Sequence, residues 1–502
     1  MLPPVPRLED YGISAGTGFL PAEPPLDTLP AFYAKWESIV RNLQPLLLSK
    51  RVRDVVDCLP ILSTSNLQTD AEWRRAYVVL VFMLHGYVWG GDRPAEVGLH
   101  QDPDPICTAK TDHLVLQRIP PQLTQPLFEV CERVQLPPVA TYAGVCLWNY
   151  RPIFPNEPTD NLDNLACLQT FTGSLDEQWF FLVSVAMEAR GAPSIPLMLQ
   201  AIAAARQDRA EVVTQCLQHL AEIIDEISGL LVRMYDNCDP YVFYNRIRPY
   251  LAGSKNMADA GLPNGVLYDD GRNAPQYRQY GGGSNAQSSL IQFFDVVLGI
   301  EHRPTGVTRK DQASADAEGS PRPRHGFIHE MREYMPGPHR RFLQDVESVA
   351  NIRAYVEAHR KDSALCIAYD ACLSMLRVMR DKHIQIVSRY IILQSRGARS
   401  ASQSGEPSKP AVKNLATAAP KDNKKLRGTG GTALIPFLKQ ARDETGEPAI
   451  DAWARRLLSN GPADKGSAAL SKVGEQPDGH LEVVGLCGTW TADDSEGGIC
   501  HW

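Results

Sequence analysis

The chain lacks several features that would assign it to a class of function. Its 11 cysteines include no C-x-x-C pair, which excludes most zinc ribbons and suggests a reducing compartment. The longest apolar run, residues 76–84, is far too short to cross a bilayer. The first residues, MLPPVP, lack the basic start and apolar core of a signal peptide. These absences predict a cytoplasmic protein that makes no use of a membrane.

Familiar binding and catalytic motifs are also missing. No H-E-x-x-H motif occurs, and no Gly-Lys-Ser/Thr follows the glycines at 281–283, as a nucleotide P-loop would require. The formal net charge of −7 argues against general nucleic-acid binding. What remains is an ordinary globular composition, with 43% hydrophobic and 22% charged residues. At 502 residues the chain is long enough for two or three domains.

Helical periodicity dominates what is present. Apolar residues recur with helical spacing, and few segments alternate as strands do. The clearest predicted helices are residues 29–58, 70–89, 176–190, 210–235, 288–298 and 362–394. The sequence therefore predicts an all-α protein. Three prolines within residues 152–166 indicate a connection between two units, so we expect a small N-terminal helical domain at 1–155 and a larger helical domain at 156–440.

Three segments do not resemble a folded core. Residues 302–325 are polar and rich in proline and arginine, which predicts an exposed insertion. Residues 396–428 carry eight Lys/Arg against two Asp/Glu and few apolar residues, a composition typical of a mobile linker. An RNA-binding tail is the alternative for this stretch. Residues 441–502 contain one plausible helix and then a Gly/Asp-rich tail, which we expect to be largely disordered.

One histidine stands out on the last long helix. At about 100° per residue, His383 falls on an apolar stripe with Leu376, Met379, Val387 and Tyr390. A buried imidazole needs a hydrogen-bond partner or a metal for its ring nitrogens. Periodicity alone favours a core histidine bonded to a backbone carbonyl, and a metal ligand is the alternative.

Two further segments allow more than one interpretation. Residues 281–288, GGGSNAQS, precede a helix, where free N–H groups would suit an anion; a flexible loop is the other reading. Asp295 lies among apolar neighbours, so a buried carboxylate there either organises a site or forms a structural ion pair. The glycine-dense segment 428–432, GTGGT, has the composition of a lid, although many linkers share it.

Taken in chain order, these segments resemble the indoleamine 2,3-dioxygenase family, and its fungal branch more than its animal branch. The segments that carry the resemblance are 180–184 (FFLVS), 246–253 (RIRPYLAG), 282–289 (GGSNAQSS), 294–299 (FDVVLG), 334–336 (YMP), 369–372 (YDAC), 383–387 (HIQIV) and 428–432 (GTGGT). Such an ordered set is specific, and it favours a ligand role for His383 over a packing role.

The resemblance implies an all-α fold in which the small domain covers a larger domain that holds haem b. His383 would be the proximal iron ligand through a neutral ring nitrogen, with the other face open to O2. The family converts L-tryptophan and related indoleamines, with O2, into N-formyl-L-kynurenine or its analogues. This is the first step of the kynurenine pathway towards NAD. An unidentified electron donor would keep the iron ferrous, and we expect a monomer.

The resemblance also assigns roles to single residues. Arg248 would pair with the substrate carboxylate through two parallel hydrogen bonds. Ser184 would be the distal hydroxyl, with no obligatory proton transfer. The remaining substrate-binding residues would be two aromatic walls, a small-domain residue, a loop near the haem and a lid, namely Phe180, Phe243, Tyr142, Gly283, Ser284 and Thr429.

Asp295 and Arg380 resemble residues behind the proximal ligand, and we hypothesise an ion pair between them that braces this side. Asn285 departs from the family, because animal enzymes usually carry a small apolar residue there. This departure leaves the preference for substituted indoles open. Residues 302–325 and the tail have no counterpart in the animal enzymes.

Three rival interpretations remain. A haem protein that binds or senses oxygen without turnover would keep His383 but lack Arg248 or the aromatic walls. A non-catalytic helical scaffold would merely pack His383. Tryptophan 2,3-dioxygenase, a tetrameric relative, generally has a distal histidine where Ser184 stands here.

Overall fold

The computed structural model describes residues 3–91, 118–258, 262–307, 326–395, 428–429 and 434–451, with the short pieces 454–455, 458, 471–475, 481–485 and 488–491 beyond them. Its N-terminal helices are α1 (Ala34–Arg41), α2 (Leu43–Leu48), α3 (Val52–Asp57), α4 (Asp70–Trp89) and α5 (Pro121–Val134). Short 3-10 turns lie at Leu8–Tyr11, Ala31–Tyr33, Thr64–Asn66, Leu162–Asn164 and Asn285–Gln287.

Twelve further helices follow along the chain within the described residues. They are α6 (Leu175–Gly191), α7 (Ser194–Arg206), α8 (Ala210–Val232), α9 (Met234–Asn237), α10 (Pro240–Val242), α11 (Arg248–Leu251), α12 (Ser289–Leu298), α13 (Phe327–Arg332), α14 (Gly337–Val349), α15 (Ile352–Ala358), α16 (Ser363–Val387) and α17 (Leu434–Thr445). The all-α prediction is confirmed. None of the helices within the described ranges is both long and apolar enough to cross a bilayer.

Helix α4 is the buried centre of the N-terminal part. Thr69 accepts a hydrogen bond from the backbone N–H of Glu72, whose side chain accepts from the Thr69 N–H in return, and this capping box fixes the start of the helix. The predicted helix 70–89 is therefore confirmed. The predicted helix 29–58 is instead three shorter helices, and Lys50, with a left-handed φ of 60°, separates α2 from α3.

Helix α16, which carries His383, packs along α8 and against α17. Asp362 caps its N-terminus by accepting from the Leu365 N–H. After Val387 the chain continues as a π-turn, Ser388–Leu393. The predicted long helix at 362–394 is thus confirmed, although its last turns are wider than an α-helix.

Strands are short, and two of the three sheets contribute side chains such as Leu165 and Val266 to the helical core. Strands β1 (Tyr150–Pro152) and β2 (Leu165–Cys167) form one antiparallel pair, and β3 (Val266–Tyr268) and β4 (Gln276–Arg278) form another. Strands β5 (Ser471–Glu475), β6 (Leu481–Gly485) and β7 (Gly488–Thr491) form a three-stranded antiparallel sheet. This sheet lies in the segment 441–502, for which a largely disordered tail stays a prediction.

The other two non-core segments need correction at their edges. The predicted exposed insertion begins too early, because the His302 side chain is only 4% exposed; residues 308–325 lie outside the described part. The predicted linker is also outside it, apart from the buried Gly428. The boundary at residue 440 falls inside α17, whose residues Ala441 and Glu444 are buried. The division into two domains stays a prediction.

Candidate functional site

Three π-helical turns meet at one cavity. They are Ala143–Leu147, Phe243–Ile247 and Ser388–Leu393, and each contributes residues to the cavity wall. A π-turn inserts one residue into a helix and turns side chains that would otherwise follow the helical stripe, which is why such turns often occur at functional sites. The backbone of this protein is therefore irregular at the point where three elements converge.

The cavity is open-sided and mainly apolar, and its empty space of about 1210 Å³ includes the open mouth. Every residue predicted to bind substrate lies in its wall, as do Ser184 and His383. The described lining contains no aspartate, glutamate or lysine side chain.

His383 faces this cavity with its ring nitrogens available. Within the described part of the chain, no group hydrogen bonds to either nitrogen, so the core histidine bonded to a carbonyl is not what the structure contains. Burial, with the nearby Arg380 cation, lowers the pKa of His383 to about 4. The imidazole is therefore neutral at pH 7 and offers a lone pair. No described set of three or more His, Cys, Asp and Glu side chains is grouped for a metal.

Arg248 places a buried cation in the same wall. Its side chain is 2% exposed, and its guanidinium carbon lies 5.4 Å from the centre of the Tyr244 ring. Burial lowers the pKa of Arg248 to about 10, so it stays charged at pH 7. Arg248 is helical, with φ −51°, and directly follows the π-turn Phe243–Ile247.

Aromatic rings form one side of the cavity. The rings of Phe180 and Phe243 have centroids 4.8 Å apart, and Phe243 meets Tyr390 edge-on at 5.7 Å. Tilted and edge-on rings at these distances attract one another through their quadrupoles. The two predicted walls are therefore a single connected surface, extended by Tyr390, which we did not single out from the sequence.

Close backbone packing explains the glycines of the loop at 281–283. A Cβ on Gly282 would lie 2.1 Å from the Leu251 carbonyl oxygen, and one on Gly253 would lie 2.2 Å from the Tyr280 carbonyl oxygen. Larger residues would push this loop away from the segment that carries Arg248. The loop is thus a packed structure rather than a flexible one.

The first turn of the helix after this loop is capped by a side chain of the loop. Ser288 accepts a hydrogen bond from the Ile291 N–H and so caps α12. Ser284 accepts from the Ala286 N–H. Because these side chains use the N–H groups that an anion would need, the structure does not support the anion-site interpretation. Gly283 and Ser284 line the cavity instead.

Thr429 joins the predicted lid to this loop. Its hydroxyl donates to the Gly283 carbonyl oxygen at 2.7 Å, and its own carbonyl oxygen accepts from the Gly282 N–H at 3.0 Å. Residues 430–432 of the predicted lid lie outside the described residues. Helix α17 follows, and its Leu434, Phe437 and Leu438 complete the wall.

A buried carboxylate behind the wall escaped the sequence analysis. Glu188 is 2% exposed, and its Oε1 accepts hydrogen bonds from the Tyr142 hydroxyl at 3.0 Å and the Ser288 hydroxyl at 2.6 Å. Ser184 lies close enough to hydrogen bond with Tyr142. Burial raises the pKa of Glu188 to about 7. The Glu188 carboxyl group therefore links Tyr142 of the cavity wall to the capping serine of α12. In the sequence, only the position of Glu188 one helical turn after Ser184 could have indicated that it lies near the cavity.

The hypothesised ion pair is present. Arg380 donates to both oxygens of Asp295, at 2.6 and 2.8 Å, from one turn before His383. Burial opposes the charge on Asp295, but Arg380 and His302 together hold the pKa of Asp295 below its usual value. Of the two interpretations of Asp295, an ion pair is confirmed, and its Arg380 lies three residues before His383 in the sequence.

Sequence comparison supplies the family. A family model described as indoleamine 2,3-dioxygenase matches residues 7–448. The chain belongs to the indoleamine 2,3-dioxygenase family. It is 40% identical over 456 residues to an indoleamine 2,3-dioxygenase of Saccharomyces cerevisiae, covering 88% of this chain and 93% of the relative.

More distant members match over a similar length. Identity is 36% over 439 residues to the 6-hydroxytryptophan 2,3-dioxygenase of Fusarium equiseti, covering 87% of this chain and 96% of the relative. Identity is 33% over 440 residues to indoleamine 2,3-dioxygenase 2 of Homo sapiens, covering 87% of this chain and 94% of the relative. The predicted family is confirmed, and with it the prediction that the chain is a haem-dependent 2,3-dioxygenase.

The buried Asp295–Arg380 pair of this dioxygenase should show strong energetic coupling. In a double-mutant cycle with Asp295→Asn and Arg380→Gln, we expect about 2 kcal/mol of coupling in urea unfolding of the haem-free protein. The reason is that each single change strands a buried charge. The exposed pair Asp70–Arg133, at 3.0 Å, is the control and should couple by less than about 0.5 kcal/mol. Additive effects at the buried pair would refute the bracing role.

Glu188 predicts a pH-dependent stability. Its folded pKa of about 7 lies above the unfolded value of 4.5, so its contribution to stability is complete below pH 4.5 and is lost as pH rises through 7. Relative to Glu188→Gln, the wild-type protein should lose about 3 kcal/mol between these pH values. Thermal unfolding of both proteins from pH 4.5 to 8 tests this, with the exposed Glu226→Gln as control. Parallel curves for wild type and Glu188→Gln would show that Glu188 titrates normally.

Proposed function

We propose that this chain is a haem b enzyme that converts L-tryptophan and O2 into N-formyl-L-kynurenine. The observation that carries the proposal is the pairing of two groups in one apolar cavity: a neutral His383 with no hydrogen-bond partner among the described residues, and the buried cation Arg248. The first suits an iron porphyrin, and the second suits an amino-acid carboxylate.

The residues present fit a haem. His383 offers one neutral nitrogen, the surrounding wall is apolar, and no second histidine lines the described cavity. Ferrous haem, held by His383, would supply the site at which O2 is activated. The ion pair between Asp295 and Arg380 would fix the helix turn that precedes His383 and so orient its ring.

The remaining residues would position the substrate. Arg248 would bind the carboxylate with two parallel hydrogen bonds. Phe180, Phe243 and Tyr142 would pack against the indole. Because the described wall holds no carboxylate or lysine, the protein would contribute orientation rather than acid–base chemistry. Ser184 would contact the bound molecules without an obligatory proton transfer.

Closure would exclude water from the reaction. Thr429 binds the loop at Gly282 and Gly283, so residue 429 would be the closed edge of a lid over the substrate. Gly283 and Ser284 would then face the substrate from the other side of this contact.

Substrate range and cellular role complete the proposal. Asn285 places an amide at the cavity wall, and the name of the Fusarium equiseti relative shows that a hydroxylated tryptophan is a substrate within the family. We propose L-tryptophan and related indoleamines as substrates, in the first step of the kynurenine pathway towards NAD. A cytoplasmic monomer supplied by an external electron donor stays a prediction.

The test is a single turnover with labelled oxygen. Haem-loaded protein is reduced without oxygen, mixed with L-tryptophan and exposed to ¹⁸O2, and the product is identified by mass spectrometry. N-formylkynurenine with two labelled oxygen atoms is expected. Binding of O2 without this product would instead support the alternative of a non-catalytic haem protein that binds or senses oxygen.

A further inference from the structure

A second histidine, His302, lies between two carboxylates away from the cavity. Its Nε2 is 3.0 Å from Asp295 Oδ2, and its Nδ1 is 2.7 Å from Glu444 Oε2. The His302 side chain is 4% exposed, and those of Asp295 and Glu444 are 5% and 2% exposed. A carboxylate can only accept, so both ring nitrogens must carry a proton. The geometry therefore requires an imidazolium cation.

This cation joins three helices. Asp295 belongs to α12 and also binds Arg380 of α16. Glu444 belongs to α17 and accepts from the backbone N–H of Arg303 at 3.2 Å. We call the set of Asp295, His302, Arg303, Arg380, Glu444 and Glu447 the ionic clamp. Its members connect α17 to the helix turn before His383.

Helix α17 has two functions at its two ends. Its first half supplies Leu434, Phe437 and Leu438 to the wall of the substrate cavity. Its second half is held by the clamp, in which Arg303 pairs with Glu447 and Arg380 donates to Thr445 and to the Ala441 carbonyl oxygen. A change in the clamp would therefore reach the cavity through a single rigid helix.

Charge balance makes the clamp sensitive to one proton. The three carboxylates of the clamp are matched by Arg303, Arg380 and the His302 cation. If His302 lost one proton, a nitrogen lone pair would face a buried carboxylate, and the hydrogen bond between them would be replaced by repulsion. Burial lowers the pKa of His302, but the hydrogen bonds and charges of Asp295 and Glu444 raise it by more than burial lowers it. The pKa of His302 therefore lies above its usual value. The other charged groups around His302 line the adjoining cavity and are Glu301, His329, Arg332, Glu347, Arg353 and Glu357.

We propose that His302 is a positioning residue whose doubly hydrogen-bonded cation holds α17 against the Asp295–Arg380 pair and thereby keeps the α17 wall of the substrate cavity in place. This inference rests on the proposed function only for its effect on tryptophan. The holding of α17 is a property of the folded chain. Deprotonation or replacement of His302 releases α17 and opens the cavity.

The test compares His302→Gln with the matched control His359→Gln, using amide hydrogen exchange of the full-length protein without tryptophan. His359 also contacts a carboxylate, Asp208, at 3.1 Å, but nearer the surface. His302→Gln should exchange the α17 amides at least tenfold faster and raise KM for tryptophan several-fold, with kcat changed less than twofold. The control should change neither.

The pH dependence separates positioning from general stability. After correction for intrinsic exchange, wild-type α17 should lose protection as pH rises, whereas His302→Gln should show no such dependence. If His302→Gln does not fold, Glu444→Gln replaces it and should also accelerate α17 exchange. Unchanged α17 protection, or equal acceleration throughout the protein, would overturn the inference. Because exchange is measured without turnover, failure of the proposed dioxygenase activity would not mimic either result.

Discussion

Replacing Arg248 with alanine is expected to lower kcat/KM for L-tryptophan by about 100-fold or more while haem content stays unchanged. Removing one partner of a buried, hydrogen-bonded charge pair weakens binding by about 2–5 kcal/mol. Much of this cost arises because the remaining charge stays buried without a counter-charge. Here that remaining charge is the substrate carboxylate, which would enter an apolar cavity. The measurement is steady-state formation of N-formylkynurenine.

Two controls make this prediction specific. Arg246 is two residues earlier but exposed, so Arg246→Ala should leave kcat/KM within about twofold of the wild type. Tryptamine has the same indole but no carboxylate, so the wild-type preference for tryptophan over tryptamine should largely disappear in Arg248→Ala. If the variant keeps wild-type efficiency or its preference, the carboxylate assignment is wrong.

Replacing His383 with alanine should abolish activity and reduce bound haem at least tenfold. No second histidine lines the described cavity, so no neighbouring imidazole can take its place. The pKa of about 4 keeps the His383 ring neutral, and metal binding therefore requires no proton release above that pH. The measurement is the Soret absorbance per polypeptide after haem supplementation.

The control for this variant is His359→Ala. His359 precedes α16 in the sequence and does not line the cavity. The control should retain full haem content. A His383→Ala protein that binds haem normally and turns over tryptophan would show that another residue holds the iron.

The sequence predicted the long elements well because local periodicity determines them. Helix α4 has the expected bounds, and the His383 helix, α16, does so to within a residue when the π-turn Ser388–Leu393 that continues it is included. The cap at Gly299, with φ 67°, also ends α12 where the sequence indicated. In contrast, the three π-turns leave no periodic signal, since each inserts a single residue. They decide which side chains reach the cavity.

Pairings between distant residues were the least predictable. Glu188 meets Ser288 across 100 residues, and His302 meets Glu444 across 142 residues. His302 seemed to belong to an exposed insertion because its neighbours are polar. His302 is buried because Glu444 of α17 packs against it. No local sequence pattern around His302 indicates a contact with a helix so far along the chain. The Asp295–Arg380 pair could be anticipated only because the family resemblance placed both residues behind the ligand.

The most direct test of the central claim is the resonance Raman spectrum of the reduced, haem-loaded protein without tryptophan. The iron–histidine stretching band should be present in the wild type and absent in His383→Gly. It should return when imidazole is added, and it should shift in frequency when that imidazole carries ¹⁵N. Persistence of the native band in His383→Gly without imidazole would contradict the assignment of His383 as the residue that binds iron.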